Sequence, residues 1–198
     1  MDIEMLFRLI ILLVFVLTFS ISATFRKRAR ESGEVVARRE EGISVFILRM
    51  VLAIPLLASI LLTIFYPRAL NWATIHLPLW LRSFAAVGAM LCVPIILWVF
   101  RSIGRNISET VLTKSDHELV KHGPYRWVRH PLYASTLLLL FSISLIAGNW
   151  FIFVYCVIGL FVFRFLVIPA EEEKLVASFG EEYEKYRLRT GALIPKLF

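Results

Sequence analysis

The chain has 198 residues, 59% of them hydrophobic, and its mean hydropathy is +0.75. A soluble domain is nearer half apolar and disperses its apolar residues, whereas here they fall in runs of about twenty. This pattern excludes a water-soluble enzyme, a disordered chain and a disulfide-rich secreted module. The formal net charge of +7 therefore points first to membrane topology and lipid headgroups, and not to nucleic acid.

Five apolar runs follow one another along the chain, at residues 5–25, 43–66, 79–100, 132–147 and 150–169. A helix needs roughly 20 apolar residues to cross a ~30 Å hydrocarbon core, and only the fourth run is clearly shorter. The Gly148-Asn149 pair after it is typical of a tight turn, so the last two runs are expected to form one membrane hairpin. We therefore predict an all-α integral membrane protein with about five transmembrane helices.

The positive charges agree with this count. Eighteen of the 22 Lys and Arg residues lie in three segments, residues 26–42, 101–131 and 164–198. Five spans place these segments on one side of the bilayer, and the positive-inside rule makes that side cytoplasmic. The N-terminus is then expected outside, and the C-terminal region and active site are expected on the cytoplasmic side. Asp2 and Glu4 precede the first run and further runs follow it, so it is predicted to be a span and not a signal peptide.

Two segments on this side concentrate chemically active residues. Residues 114–133 read KSDHELVKHGPYRWVRHPLY, and residues 169–198 begin with PAEEEK. Because the predicted hairpin lies between them, the two segments are expected to emerge next to each other. Pro131 suits the first turn of a helix, and the acidic triplet from Glu171 is also typical of a first turn. A loop rich in His, Arg and Tyr is equally typical of a belt that binds lipid headgroups, and composition alone leaves both interpretations open.

Several signatures of soluble enzymes are absent from the sequence. The nine glycines form no GxG pattern, so Rossmann and Walker A loops are missing. There is no GxSxG or HExxH motif either. Cys92 and Cys156 lie inside apolar runs without CxxC or Cys/His spacing, so neither a disulfide framework nor a metal site is expected. A cofactor pocket must therefore be built from helix ends and loops.

The two polar segments together resemble the isoprenylcysteine carboxyl methyltransferases, which belong with the phospholipid methyltransferases in a wider membrane superfamily. The resemblance is carried by HELV from His117, GPY from Gly123, RHPLY from Arg129, the pair from Glu171, and FGEEY from Phe179. The closing TGALIPK also looks like that of prokaryotic members. The match covers residues 104–198, about half the chain, which we expect to be the cofactor-binding core of a single domain spanning residues 1–198.

This resemblance implies S-adenosylmethionine as methyl donor, S-adenosylhomocysteine as product and a lipophilic acceptor such as a prenylated substrate. Membrane lipids are the other expected partners, with no nucleic acid and no obligate protein partner. Arg129 and Arg164 are the candidate catalytic residues. The implied cofactor-binding residues are His117, Glu118, Leu119, Val120, Tyr125, His130, Pro131, Leu132, Tyr133 and Glu171.

One position departs from the pattern of the family. Its members are expected to have an Arg four residues before the first Glu of the pair, assigned to the acceptor carboxylate, but this chain has Val167 there. Either Arg164, one turn earlier, takes that role, or the acceptor is not a prenylcysteine carboxylate.

The predicted activity is isoprenylcysteine-type carboxyl O-methylation, with a phospholipid amine or a small isoprenoid acid as the alternative acceptor. A membrane reductase that uses NADPH on a sterol or isoprenoid, and a non-catalytic lipid-binding scaffold, are the alternatives from other classes.

Overall fold

The computed structural model describes residues 2–31, 43–103 and 119–196, and within these ranges the backbone is almost entirely helical. Each of the five apolar runs coincides with a helix, which confirms the prediction of an all-α architecture. In chain order the helices are α1 (Ile3–Glu31), α2 (Ile43–Phe65), α3 (Leu79–Ile103), α4 (Pro131–Ala147), α5 (Trp150–Val162), α6 (Ile168–Phe179) and α7 (Glu181–Arg189).

Among the residues that the structure describes, three helical stretches are long and apolar enough to cross a membrane. They are Ile3–Ala29, Leu79–Ile103 and Trp150–Phe179, and an 18-residue window within each has a mean hydropathy of 2.5, 2.3 and 2.7, respectively. Shorter apolar helices cover Met50–Phe65 and Pro131–Ala147. The exposed surface of these helices carries many large apolar side chains, as expected for a protein whose solvent is lipid.

Helix α3 lies at the centre of the bundle and packs against both α1 and α4. The first half of its inward face, from Ala85 to Cys92, is made of small side chains, which allow neighbouring helices to approach closely. A Cβ atom added at Gly88 would lie 3.3 Å from the Ser142 hydroxyl of α4, so this crossing has no spare room. The buried side chains at the crossings include Ala85, Ala86, Ala89 and Cys92 of α3, Phe7, Ile11 and Val14 of α1, and Ile143 and Ile146 of α4.

The predicted turn between α4 and α5 is confirmed. Gly148 ends α4 in the left-handed conformation, with a φ of 57°, which a residue with a Cβ atom rarely adopts. Asn149 caps the next helix, since its side-chain oxygen accepts a hydrogen bond of 3.0 Å from the backbone N–H of Ile152. Helices α4 and α5 consequently run side by side, so the first residues of α4 and the last residues of α5 lie at the same end of the bundle.

Helix α6 continues α5 through one wider turn. Residues Phe163–Val167 form a π-helical turn, and Val167 and Ile168 on its far side keep helical backbone angles. The wider turn has a physical cause, because Pro169 has no N–H and its ring would crowd the carbonyl of Phe165 in a regular α-helix. Glu171 lies in the first turn of α6, as predicted, but that turn follows helical backbone and offers no free helix terminus.

Candidate active site

The loop before α4 and the tail after α7 are joined through their backbones. The N–H groups of Arg129 and His130 donate hydrogen bonds to the carbonyls of Gly191 and Ala192, at 2.9 and 3.0 Å. A Cβ atom on Gly191 would overlap the carbonyl oxygen of Ile194, so only glycine fits where the tail folds back. The predicted meeting of the two polar segments therefore occurs, and the tail at the end of the second segment takes part in it.

His130 is held between two carboxylates of α6. Its Nδ1 lies 3.3 Å from Oε2 of Glu171, and its Nε2 lies 3.2 Å from Oε1 of Glu172. The side chain is only 7% exposed. Burial by itself lowers the pKa of His130, but its hydrogen bonds to Glu171 and Glu172 outweigh burial and raise the pKa above its usual 6.5. Because both ring nitrogens face carboxylates, these contacts favour the protonated form of the imidazole.

Glu172 is the centre of a buried ionic network. Besides His130, its Oε1 accepts a hydrogen bond of 2.8 Å from Nε of Arg129. The Arg129 and Glu172 side chains are 10% and 12% exposed, so the pair is largely removed from solvent. Nη1 of Arg129 also donates to the backbone carbonyls of Arg187 and Thr190. Arg129 thus connects α6 to the end of α7.

Tyr133 places an aromatic surface beside this network. Its hydroxyl donates a hydrogen bond of 2.5 Å to Oε1 of Glu171. The ring stacks on Phe163 of the π turn, with ring centroids 4.4 Å apart, and on His130, with centroids 5.8 Å apart. Helices α4 and α5–α6 are therefore joined by stacking as well as by charge.

Tyr125 lies deeper, in the short turn Gly123–Arg126. Its side chain is buried, and burial raises the pKa of its hydroxyl. Its backbone carbonyl accepts a hydrogen bond of 2.6 Å from the hydroxyl of Tyr186, whose own pKa is raised to about 12 by burial. Gly123 begins the turn at a φ of 60° and packs directly on the Ser102 side chain at the end of α3. The turn thus fixes the loop between α3 and α7.

An open cleft of about 540 Å³ lies beside α6 and shares Arg129 and Glu172 with the buried ionic network. Its charged lining consists of Arg129, Arg164, Arg187, Glu172, Glu173 and Glu184. Most of these charges are already paired, since Arg129 contacts Glu172 and Nη2 of Arg187 lies 2.9 Å from Glu184. Within the described part of the chain, Arg164 and Glu173 are the two lining charges without an ionic partner.

Side chains of the π turn and α6 fall into two neighbouring rows, and only one of them faces the cleft. Arg164, Ile168, Glu172 and Val176 line it at intervals of four residues. Phe163 and Glu171 form the neighbouring row and contact Tyr133 instead. Val167 belongs to that second row by its spacing and does not line the cleft.

The structure unites some of the predicted site residues and leaves others apart. Arg129, His130, Tyr133 and Glu171 form one cluster through Glu172, and Arg164 shares the cleft with Arg129. Pro131 and Leu132 are the first two residues of α4 and directly follow His130 of this cluster. Leu119, Val120 and the Tyr125 side chain lie outside the hydrogen bonds of this cluster. His117 and Glu118 lie outside the described residues.

Sequence reasoning did not single out Glu172, Arg187 or Phe163. Glu172 stands next to the predicted Glu171, but the sequence does not record how α6 is rotated and therefore which of the two bridges Arg129 and His130. The ring of Phe163 looks like any apolar residue of the fifth run. The main-chain carbonyls that hold Arg129 have no signal in the sequence.

The His130 network predicts a pH dependence of stability. A histidine whose pKa is raised by folding stabilises the protein fully below its unfolded pKa, and this contribution is lost as the pH rises through the folded value. The thermal midpoint in nanodiscs is therefore expected to fall from mildly acidic to mildly alkaline pH. The His130→Gln variant should be less stable at acidic pH and have a flatter profile. Parallel profiles for the two proteins would contradict the prediction.

Known proteins are similar in sequence to this region of the chain. A family model described as phospholipid methyltransferase matches residues 80–182, just over half of the chain. The protein-S-isoprenylcysteine O-methyltransferase of Schizosaccharomyces pombe is 34% identical over 94 residues, covering 46% of this chain and 40% of that protein. The protein-S-isoprenylcysteine O-methyltransferase of Saccharomyces cerevisiae is 38% identical over 102 residues, covering 46% of this chain and 39% of that protein. The aligned part thus spans about two fifths of the length of these relatives.

Two further similarities extend this comparison. Methanethiol S-methyltransferase 1 of Bradyrhizobium diazoefficiens is 30% identical over 71 residues, or 36% of this chain and 24% of that protein. Among solved structures, the eukaryotic intramembrane Ras methyltransferase, an isoprenylcysteine carboxyl methyltransferase, superimposes with a TM-score of 0.55 and 28% identity. The superposition covers 75% of this chain and 52% of that one. Three quarters of this chain thus share the fold of that intramembrane enzyme.

Proposed function

Because the chain belongs to the phospholipid methyltransferase family, we propose that it methylates a lipophilic acceptor with S-adenosylmethionine, as an isoprenylcysteine-type carboxyl O-methyltransferase. The observation that supports this most directly is the buried cluster of His130, Tyr133, Glu171 and Glu172. It joins two segments about forty residues apart in the chain, at the mouth of the α4–α5 hairpin.

The residues present fit the proposed donor. S-Adenosylmethionine carries an amino acid, a positively charged sulfur and an aromatic base. The cluster offers three matching groups, which are the carboxylate of Glu171, the guanidinium of Arg129 and the stacked rings of Tyr133 and Phe163. Aromatic faces attract cations by about 0.5–2 kcal/mol. When bound, the donor supplies an electrophilic methyl group; Glu171 and Arg129 would hold its polar groups.

The proposed binding of the acceptor depends on Arg164. A carboxylate acceptor needs no general base, because a carboxyl group with a pKa of about 4 is already ionised at neutral pH. The protein has mainly to position the two reactants and exclude water. Arg164 is a cation of the cleft lining without an ionic partner among the described residues, and Phe165 and Leu166 beside it are exposed apolar residues that suit a lipid tail.

The remaining features of the proposal concern topology and organisation. We place the active site and C-terminal region on the cytoplasmic side and the N-terminus outside, because the segments rich in Lys and Arg then lie in the cytoplasm. Residues 1–198 act as one domain, with the cofactor-binding core at about 104–198. His117, Glu118, Leu119, Val120, Tyr125, Pro131 and Leu132 stay in the proposed cofactor-binding set on the resemblance of their motifs.

Transfer of a labelled methyl group from S-adenosylmethionine tests this function. The purified protein in nanodiscs is offered a farnesylcysteine analogue, phosphatidylethanolamine and isoprenoid acids, and the label is expected on the farnesylcysteine analogue. In parallel, S-adenosylhomocysteine should raise the thermal midpoint and NADPH should not, since a ligand at 100 times its Kd adds about 2.7 kcal/mol. Failure of both transfer and stabilisation would refute the proposal.

A further inference from the structure

The hydroxyl of Tyr183 is buried without a hydrogen-bond partner. Tyr183 lies in α7, is 1% exposed, and has the largest of the fully buried side chains in the described part of the chain. None of the described residues forms a hydrogen bond with its hydroxyl oxygen. A buried polar group left unpaired costs free energy, and phenylalanine would fill the same space without that cost. Packing alone therefore does not account for a tyrosine at this position.

This hydroxyl belongs to the surroundings of the buried ionic network. Burial raises the pKa of Tyr183, the charge of Glu172 raises it further, and Arg129 lowers it. The net pKa is raised, so the hydroxyl keeps its proton at neutral pH and is available as a hydrogen-bond donor. The ring is fixed by an edge-to-face contact with Tyr186, with ring centroids 5.9 Å apart.

Glu172 has an oxygen to spare for such a donor. Its Oε1 is approached by Nε of Arg129 at 2.8 Å and by Nε2 of His130 at 3.2 Å. The described hydrogen bonds leave its other oxygen, Oε2, without a donor. The network thus contains a buried donor without an acceptor, on Tyr183, and a carboxylate oxygen without a donor, on Glu172.

Binding of the methyl donor would change the demands on this network. Under the proposed function Arg129 holds polar groups of S-adenosylmethionine, whose amino-acid part carries a carboxylate. In the ligand-free protein the guanidinium is committed to Glu172 and to the carbonyls of Arg187 and Thr190. When Arg129 turns toward a ligand carboxylate, its bond to Glu172 weakens. A buried carboxylate that loses a partner is costly, so Glu172 then needs a second donor.

Resting on the proposed function, we propose that Tyr183 is a positioning residue of the donor site, whose hydroxyl hydrogen-bonds to Glu172 when Arg129 engages the donor's carboxylate. This bond keeps Glu172, and through it His130, in place while Arg129 is occupied. The ligand-free protein carries the cost of an unpaired hydroxyl, and the ligand-bound protein recovers it.

The substitution Tyr183→Phe tests this inference, because it is expected to act in opposite directions on stability and on binding. In ligand-free nanodiscs its thermal midpoint should equal or exceed that of the wild type, since an unpaired hydroxyl is removed. Its Kd for S-adenosylhomocysteine should rise about tenfold, as for one hydrogen bond to a charged group. Tyr186→Phe loses a formed bond of 2.6 Å to the Tyr125 carbonyl, so its thermal midpoint should fall. Tyr155→Phe, the same change in α5 outside the site, should alter neither quantity.

A ligand without the carboxylate makes the test specific. Decarboxylated S-adenosylhomocysteine cannot engage Arg129 in this way, so Tyr183→Phe and the wild type should bind it equally. Equal affinity of the two proteins for S-adenosylhomocysteine, or an equal loss for both ligands, would overturn the inference. A thermal midpoint lowered as in Tyr186→Phe would also overturn it, because the hydroxyl would then be paired already in the free protein. Methyl transfer by the wild type is measured separately, and its persistence in these cases leaves the proposed function standing. Absence of both transfer and S-adenosylhomocysteine binding in the wild type would refute the function and this inference together.

Discussion

Replacing Glu172 with Gln is expected to destabilise the protein more than any other single charge removal in the described site. The change keeps the shape of the side chain but leaves Arg129 buried without its carboxylate, and His130 with only Glu171. Removing one partner of a buried ion pair costs about 3–5 kcal/mol, because the other charge remains desolvated. The thermal midpoint should fall sharply, and affinity for S-adenosylhomocysteine should fall with it.

The neighbouring carboxylate provides the matched control for this measurement. Glu173→Gln removes the same charge one residue away, but Glu173 is exposed, so its effect on stability should stay within about 0.5 kcal/mol. Arg129→Gln combined with Glu172→Gln should cost less than the sum of the single changes, since the two groups interact directly. Equal thermal midpoints for Glu172→Gln and Glu173→Gln would show that the network does not hold the site together.

The helices were predictable because lipid imposes a simple rule. A backbone that crosses a bilayer must satisfy its own hydrogen bonds, so each long apolar run becomes a helix. The Gly148-Asn149 turn could also be predicted, because glycine adopts the left-handed conformation readily and asparagine caps the next helix. Together these features were sufficient to predict that the segments containing His130 and Glu171 meet.

The detailed pairing at the site was not predictable in the same way. Arg164 and Glu172 line the cleft, whereas Phe163 and Glu171 contact Tyr133, and this division depends on how the helix is rotated about its axis. A hydropathy pattern does not record that rotation. Nor does it reveal that Arg129 is held by main-chain carbonyls, because every residue carries one. Local geometry, and not residue type, produced these contacts.

The Arg164→Gln variant is expected to lose most of its activity while keeping its fold. Under the proposed function Arg164 holds the acceptor carboxylate, and hydrogen bonds between charged groups contribute about 1.5–3 kcal/mol, so kcat/KM should fall by roughly 10- to 150-fold. The side chain is exposed, so the thermal midpoint and the affinity for S-adenosylhomocysteine should change little. Arg189→Gln, which removes an exposed cation outside the cleft, should leave both activity and stability unchanged.

A second substitution separates the two explanations for the missing family arginine. If Arg164 has taken over its role, Arg164→Lys should restore part of the activity, whereas Val167→Arg added to Arg164→Gln should not. Position 167 lies in the row of Phe163 and Glu171, and an arginine there would not reach the cleft. Rescue by Val167→Arg would place the acceptor carboxylate beside Glu171. Full activity of Arg164→Gln would instead show that the acceptor's anion does not bind this residue.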